Sequence, residues 1–184
     1  MALRLYNSLT NTLEDFKPVQ DGVVRMYNCG PTVYSYQHIG NFRSFIFADL
    51  LRRYLLHKDF KVVQVMNITD VGHLTDDGDE GEDKMEVAAR REKKDTLEIA
   101  KFYTDVFLQD WQMLRLQEPE FRPRATEMVP EIIQLASQLI ENGHAYEADG
   151  NVYYDITSFP EYGKLSGNTI DNLNKHRVAK DPNK

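Results

Sequence analysis

The sequence predicts an α/β fold built around a parallel sheet, and two observations carry this prediction. Residues 23 to 68 have the pattern of a strand, a helix and a second strand. The segments that follow show helical periodicity and then the pattern of a small hairpin. Because two parallel strands need a long crossover, which a helix supplies, residues 23 to 68 are expected to form a βαβ unit.

Composition limits the classes of protein that remain. The 184 residues are 41% hydrophobic and 28% charged, which is typical of a globular protein and excludes disordered, collagen-like and coiled-coil chains. The net charge of -7 offers no general attraction for a phosphate backbone, so any contact with nucleic acid must be local. The longest apolar run, Phe45 to Ala48, is far shorter than the roughly 18 residues of a membrane span, and Met1 to Thr10 lacks the apolar stretch of a secretory signal. These features predict a cytoplasmic protein without a membrane segment.

The first half of the chain supplies the expected βαβ unit. Apolar residues near Leu3 and Leu5 and again from Val23 to Met26, separated by Pro18 and Asp21-Gly22, have the pattern of two strands joined by a turn. The following helix is expected to be largely buried because its apolar positions cover a wide arc: Phe42, Phe45, Ile46, Phe47, Leu50, Leu51, Tyr54 and Leu55. A run rich in β-branched residues, from Phe60 to Ile68, predicts the second strand of the parallel pair.

The second half predicts helices and a hairpin. Asp95, with Glu98 three residues later, is a capping-box variant ahead of a long amphipathic helix that extends to Leu114. A second helix covers Val129 to Ile140, and Gly143 stands where a C-terminal cap belongs. Asp149-Gly150 lies between two strand-like segments and predicts a tight turn of the primed type.

The junction between the first parallel strand and the long helix is the candidate phosphate site. Cys29-Gly30-Pro31-Thr32-Val33-Tyr34 ends the strand, and His38-Ile39-Gly40-Asn41 begins the helix. A helix N-terminus directs backbone N–H groups and the positive end of the dipole at one spot, to which His38 and Asn41 add side-chain donors. Taken alone, this pattern favours the simpler explanation that His38 caps the helix and Gly40 permits tight packing.

The order of these motifs resembles the cysteinyl-tRNA synthetases, a family of class I aminoacyl-tRNA synthetases. The resemblance extends along nearly the whole chain through further segments: Asn67-Ile68-Thr69-Asp70-Val71, Glu82-Asp83-Lys84-Met85, Pro123-Arg124-Ala125-Thr126, Gly143-His144-Ala145-Tyr146 and Tyr162-Gly163-Lys164-Leu165-Ser166. It implies a Rossmann-like catalytic domain, with its amino-terminal half in residues 1–117. Residues 118–184 are then expected to hold a helix, a hairpin and the start of a truncated connecting insertion.

The resemblance also implies a reaction and its nucleotide site. Members of this family activate cysteine with ATP, with magnesium, release pyrophosphate and esterify the adenylate to tRNA(Cys). By resemblance, His38 and Asn41 are catalytic, and His38, Gly40 and Asn41 bind ATP. Asn41 stands where the commonest form of the signature has a second His.

The amino-acid substrate is expected next to the same loop. The resemblance places Gly30, Thr32 and Thr69 near the cysteine substrate, where carbonyls and hydroxyls suit an ammonium or a carboxylate. Without the resemblance, ordinary hydrogen bonding at a strand end is the favoured explanation for both threonines.

Cys29 is the single cysteine, so the chain forms no internal disulfide. A lone Cys at a strand end is most often a small buried hydrophobe. The resemblance instead implies a zinc ligand, with the other ligands outside this chain. Zinc prefers sulfur to a hydroxyl, so a thiolate-binding metal explains the choice of cysteine over serine.

Three charged or titratable features have no firm assignment. The acidic residues between Asp76 and Asp83 lack the spacing of an EF-hand and are expected to form a solvated loop. The basic cluster Arg90, Arg91, Lys93 and Lys94 either contacts the tRNA acceptor stem or balances that acidic loop. His73 receives no role.

Two rival functions remain open at this point. One is a ligase of the same fold that joins cysteine to an amino sugar, and the other is a non-catalytic paralogue that acts as a binding module. Because the polar tail from Lys175 to Lys184 has no apolar face, we expect the chain to stop inside a larger structure. The resemblance implies that the chain is the amino-terminal part of such an enzyme. We also expect it to be a monomer. Since neither a K-M-S-K-S loop nor an anticodon-binding domain is present, we do not expect this chain to charge tRNA alone.

Overall fold

A computed structural model describes residues 3–71, 84–92 and 95–167. The strands are β1 (Arg4–Asn7), β2 (Thr12–Asp15), β3 (Val23–Asn28), β4 (Lys61–Met66), β5 (Ala145–Ala148) and β6 (Asn151–Tyr154), and the helices are α1 (Ile39–His57), α2 (Lys84–Glu92), α3 (Thr96–Met113) and α4 (Val129–Glu141). The chain forms two compact units. One contains Pro18–Met128, and the other combines Met1–Lys17 with Val129–Lys184.

The unit Pro18–Met128 contains the expected βαβ arrangement. Strands β3 and β4 pair in parallel, from Val23 opposite Lys61 to Asn28 opposite Met66, and α1 is the crossover between them. The α/β class is therefore confirmed. A third segment lies along the other edge of β4, where parallel bridges join Val65 to Phe121 and Ile68 to Arg124. The sequence analysis did not anticipate this third segment.

Aromatic side chains attach α3 to α1 and form a core cluster. Phe42 and Phe45 of α1 meet Phe107 and Trp111 of α3, with ring centroids 5.5 to 6.1 Å apart. Such rings contribute both large buried area and favourable edge-to-face contacts. A second cluster packs Val33 and Ile68 at the ends of the strands against α2 and α3. Both clusters lie beside the segments that lead into the predicted site.

A buried polar network ties α1 to the sheet. The Arg52 side chain is 9% exposed and donates from Nη2 to Glu120 Oε1 at 2.6 Å and from Nη1 to Gln64 Oε1 at 3.0 Å. Glu120 also accepts from the backbone N–H of Gln64 at 2.6 Å, and Gln64 Nε2 donates to Asn28 at 2.8 Å. Because a buried guanidinium is costly unless its donors are bonded, this network holds α1, β4 and β3 in one arrangement.

Two expectations about the first half were wrong in part. The strand near Leu5 does not pair with the strand at Val23, because β1 forms an antiparallel hairpin with β2, from Arg4 opposite Asp15 to Asn7 opposite Thr12. Asn11 takes a φ of 56° in the turn of this hairpin, a conformation that Asn tolerates well. Helix α1 is not buried over its whole apolar arc either, since Phe47 and Leu50 are 67% and 62% exposed. Only the face that carries Phe42, Phe45 and Leu55 is buried.

The predicted helix and hairpin signals of the second half are confirmed. Asp95 caps α3 by accepting from the N–H of Leu97. Gly143 takes a φ of 75° after α4, and the next N–H, that of His144, bonds to the Leu139 carbonyl at 2.8 Å. Asp149 and Gly150 both have positive φ, 50° and 76°, as a primed turn between β5 and β6 requires.

Several features of the sequence analysis lie outside the described residues. These are His73, the acidic stretch Asp76 to Asp83, the lysines Lys93 and Lys94, the side chain of Arg91, and the tail from residue 168 onward. Among the residues that the structure describes, no helix is long and apolar enough to cross a membrane.

We expect Glu120→Gln to destabilise the protein in a pH-dependent way. Its hydrogen bonds to Arg52 hold the pKa of Glu120 below its usual value, so the folded state binds this proton less readily than the unfolded chain. The stabilisation is therefore complete above the unfolded pKa, about 4.3, and is lost as the pH falls through the lower folded pKa. At pH 7 the loss should be about 1 to 2 kcal/mol, because the carboxylate is partly exposed.

Urea unfolding at about pH 7 and about pH 3 measures this difference. Glu127→Gln is the matched control, since its contact with Arg124 is 3.8 Å long and 63% of the Glu127 side chain is exposed. This control should change stability by less than about 0.5 kcal/mol at either pH. A Glu120→Gln penalty that is equally large in acid would contradict the role assigned to this ion pair.

Candidate active site

A cleft of about 270 Å³ opens where β3 ends and α1 begins. Cys29, Gly30 and Thr32 line one part of it, and His38 and Asn41 line another. The remaining lining residues are uncharged: Pro31, Tyr34, Ser35, Tyr36, Gln37, Ser44 and Phe45. A cleft whose lining contains donors and no carboxylate is suited to an anionic ligand.

His38 and Asn41 form a reciprocal capping box at the start of α1. The N–H of Gly40 donates to His38 Nδ1 at 3.0 Å, and the N–H of His38 donates to Asn41 Oδ1 at 3.1 Å. A nitrogen that accepts a hydrogen bond carries no proton, so neutral His38 has its proton on Nε2. By the same reasoning, the amide nitrogen of Asn41 remains a donor. The cap therefore presents two side-chain donors at the helix N-terminus.

This cap changes the expected source of the donors. The backbone N–H of Gly40 is occupied by His38, and those of Asn41 and Phe42 bond to the His38 carbonyl at 3.0 and 3.2 Å. The side chains of His38 and Asn41 therefore carry more of the donor capacity than these backbone groups do. The reading of His38 as a helix cap and the reading of it as a ligand-binding donor are thus compatible, because each uses a different ring nitrogen.

Gly40 is required by the position of the His38 ring. A Cβ atom at residue 40 would lie 2.8 Å from His38 Cε1 and 2.9 Å from Nδ1. Any larger residue would push the imidazole away and break its bond to the Gly40 N–H. Gly40 does not line the cleft, so it acts on the candidate site through the orientation of His38.

Gly30 lies in direct backbone contact with the end of β4. A Cβ atom there would be 1.6 Å from the Asn67 carbonyl oxygen, which leaves room for hydrogen alone. The N–H of Gly30 donates to the Asn67 side chain at 3.1 Å. Parallel pairing continues past the strands through a bridge between Thr32 and Thr69. Thr69 does not line the cleft, whereas Thr32 does.

Cys29 is exposed at the cleft, so the common buried role of a lone cysteine does not apply to it. Its thiol is free to serve as one ligand to a metal. Within the described residues, no group of three or more His, Cys, Asp or Glu side chains is arranged to hold a metal ion. A thiolate is a ligand that zinc favours, so the chemistry of Cys29 is compatible with a zinc site whose other ligands would lie outside the described residues.

Three residues of this region were missed by the sequence analysis. Asn67 bonds to Gly30, Gln37 Nε2 donates to the Thr32 carbonyl at 3.2 Å, and the Tyr36 ring meets Tyr103 edge-on with centroids 5.2 Å apart. The bond from Gln37 joins the two ends of the loop between β3 and α1, and Tyr36 packs that loop against α3. A polar residue directly after a parallel strand was an available signal for Asn67, because strand ends of this kind border ligand sites.

The comparisons with known proteins agree on one family. A family model described as the class I (C) tRNA synthetase catalytic domain matches residues 15–184. Proteins named cysteine–tRNA ligase from Chlorobaculum tepidum and Treponema denticola are 50% and 47% identical to this chain. The matches cover 91% and 100% of this chain but 35% and 38% of those proteins, so the chain spans about a third of the length of the curated relatives it matches.

A solved structure supports the fold. The structure, assigned as an arginyl-tRNA synthetase from Campylobacter jejuni, superposes with a TM-score of 0.52 at 13% identity. It covers 78% of this chain, and the match covers 40% of that chain. At this identity the likeness concerns the fold alone.

We expect Gly30→Ala to destabilise the chain more than an alanine at a roomier glycine. The added methyl group meets backbone rather than a flexible side chain, so β3 and β4 must shift, at a cost of about 3 kcal/mol. Gly22→Ala is the matched control, since no atom lies within 4 Å of its Cβ and only its φ of 70° is unfavourable, which costs about 1 to 2 kcal/mol. Urea unfolding compares the two variants, and equal losses would contradict the close approach at Gly30.

Proposed function

Because the chain belongs to the class I cysteinyl-tRNA synthetase family, we propose that the protein containing it activates cysteine with ATP and transfers it to tRNA(Cys). The observation that carries this proposal is the single cleft that joins an exposed thiol, Cys29, to the two donors of the His38–Asn41 cap. One part of such a cleft suits a thiol-containing amino acid, and the other suits a phosphate.

In the first step the carboxylate of cysteine attacks the α-phosphate of ATP, and pyrophosphate leaves. Negative charge builds on the phosphate oxygens during this attack. His38 Nε2–H and the Asn41 amide donate hydrogen bonds to that charge, which is the kind of stabilisation that accelerates phosphoryl and nucleotidyl transfer. Magnesium accompanies ATP as its usual counterion. No covalent bond to the protein is needed.

The residues at the ends of the two strands hold the amino acid. We assign Gly30, Thr32 and Thr69 to the cysteine side of the site, because their carbonyls and hydroxyls suit an ammonium or a carboxylate. Thr32 lines the cleft directly, and Thr69 is bridged to it through the parallel backbone pairing. Gly40 belongs to the nucleotide side through its effect on the His38 ring.

Cys29 is the residue that we assign to zinc, with the other ligands supplied from outside the described residues. When bound there, zinc would supply a Lewis acid that prefers a thiolate to a hydroxyl, a preference that would distinguish cysteine from serine. Shape alone would separate two such similar side chains only about 10- to 200-fold. Cys29 would contribute one thiolate ligand and so help to hold the ion at the amino-acid side of the cleft.

The second step esterifies the activated cysteine to the end of tRNA(Cys), in the cytoplasm, by a protein that we expect to be a monomer. The acceptor distinguishes this reaction from that of a ligase that uses an amino sugar. Charging of tRNA(Cys) by the full-length protein is the direct test. Transfer to an amino sugar with no charging of tRNA would replace the proposed function.

In the full-length enzyme, His38→Ala should lower cysteine-dependent exchange of pyrophosphate into ATP by about 10²-fold or more, as the loss of a transition-state donor does. His57→Ala is the matched control, because His57 lies at the opposite end of α1. The control should keep its rate within about twofold. Exchange at the original rate in His38→Ala would remove His38 from the mechanism.

Cys29→Ser, again in the full-length enzyme, should lower both the zinc content and the preference for cysteine over serine. The substitution removes a thiolate, and the remaining hydroxyl is a poor zinc ligand, so we expect a loss of metal affinity of at least about 10-fold. Elemental analysis of the purified variant measures zinc. His57→Ala is the control, because it removes a possible metal ligand at the far end of α1. Full zinc occupancy in Cys29→Ser would contradict the assignment.

A further inference from the structure

Asn67 lies directly after β4 and uses both ends of its side-chain amide. Its Oδ1 accepts from the backbone N–H of Gly30 at 3.1 Å and from the phenol of Tyr27 at 3.2 Å. Its Nδ2 donates to Thr69 Oγ1 at 3.1 Å. Two of these three partners, Gly30 and Thr69, are residues that the proposed function assigns to cysteine binding. Asn67 itself does not line the cleft.

The orientation of this amide follows from its partners. A backbone N–H only donates, so the atom that faces Gly30 must be the oxygen, and the nitrogen must face Thr69. Thr69 Oγ1 is then the acceptor in that bond. Its own proton is left for a bond to another group. An aspartate at position 67 would keep the acceptor for Gly30 but would draw the Thr69 proton toward itself.

The bond to Gly30 also fixes the neighbouring carbonyl. None of the described peptide bonds is cis, so the Cys29 carbonyl points to the side opposite the Gly30 N–H. The backbone of Asn67 reinforces this placement, because its carbonyl oxygen would lie 1.6 Å from a Cβ at residue 30. The side chain and the backbone of Asn67 therefore both determine how the Cys29–Gly30 peptide is set at the edge of the cleft.

We propose that Asn67 is a positioning residue for cysteine recognition, which sets the Cys29–Gly30 peptide and leaves the Thr69 hydroxyl free to donate. This inference rests on the proposed function, since cysteine is the ligand whose binding it affects. The nucleotide side of the cleft, at His38 and Asn41, has a cap of its own. Substitution of Asn67 should therefore change the KM for cysteine and leave the KM for ATP nearly unchanged.

The first measurement concerns position alone and uses the 184-residue chain. Hydrogen exchange of the Gly30 amide, followed by NMR, should be about 10-fold faster in Asn67→Ala, because its acceptor is lost. Asn67→Asp should keep this amide protected, since a carboxylate also accepts. Tyr27→Phe is the control that removes the other donor to Oδ1. Slow exchange of the Gly30 amide in Asn67→Ala would overturn the positioning role, whether or not the enzyme activates cysteine.

The second measurement concerns recognition and uses cysteine-dependent pyrophosphate exchange by the full-length enzyme. Asn67→Asp should raise the KM for cysteine about 10-fold, as the loss of one aligned hydrogen bond does, with the KM for ATP within about twofold. Tyr27→Phe should change neither. An unchanged KM for cysteine, or an equal rise in both KM values, would overturn the inference.

The two measurements separate this inference from the proposed function. If the unsubstituted enzyme shows no exchange that depends on cysteine, the proposed function and the recognition role are both rejected, while the Gly30 amide still reports on position. If exchange is normal and the Asn67 variants behave like the unsubstituted enzyme, the proposed function stands and the role of Asn67 is rejected.

Discussion

The candidate site depends on the parallel register of β3 and β4. Because Asn28 lies opposite Met66, the residues that follow each strand leave the sheet side by side. The pairing then continues beyond the strands, where Thr69 N–H donates to the Pro31 carbonyl at 3.0 Å and Val33 N–H donates to the Thr69 carbonyl at 3.1 Å. A slip by one residue would turn each side chain to the other face, so the contact between Gly30 and Asn67 exists in this register alone.

The buried polar network around Arg52 stabilises the same register, because it joins β3, β4 and α1. Gln64 is 2% exposed, and its amide links Asn28 on β3 to the guanidinium on α1. Asn28 directly precedes Cys29. The exposed thiol therefore lies one residue after a side chain that is held by a hydrogen bond from buried Gln64. Burial of a charge is unfavourable unless its bonds are satisfied, and Glu120 supplies them while keeping a third of its side chain in water. Polar as well as apolar contacts therefore place the end of β3.

Local signals in the sequence were sufficient for most elements. The cap at Asp95, the turn at Asp149-Gly150 and the stop at Gly143 each depend on residues within a few positions, and all three are present. The pairing of β1 with β2 is local, and it was missed for another reason: β2, Thr12–Asp15, has a mostly polar sequence in which Thr12 alone is of the β-branched and aromatic types that mark a strand. The buried part of α1 was also overestimated, because periodicity identifies an apolar arc but does not say how much of it has a neighbour.

The same distinction applies to the candidate site. The order of the motifs singled out five residues that line one cleft: Cys29, Gly30, Thr32, His38 and Asn41. The sequence analysis included Asn67 in a family-like segment but gave it no role, because its partner Gly30 lies 37 positions away and only the sheet register brings them together. The sequence analysis considered a helix cap at His38 but did not predict the return bond, in which Asn41 Oδ1 accepts from the His38 N–H. In each case the missing information was the direction of a side-chain donor, which a sequence pattern does not contain.

The geometry of that cap explains why asparagine is suitable at position 41. The residue there must accept a bond from the His38 N–H and still present a donor at the helix N-terminus. A neutral histidine does this with its two ring nitrogens, and asparagine does it with the oxygen and nitrogen of one amide. Aspartate would accept the same bond but would place a negative charge where the phosphate is expected. That charge would repel the ligand, and an ionised carboxylate has no hydrogen to donate. Asn41 thus combines one acceptor and one donor, as a neutral histidine at this position would, in a smaller side chain.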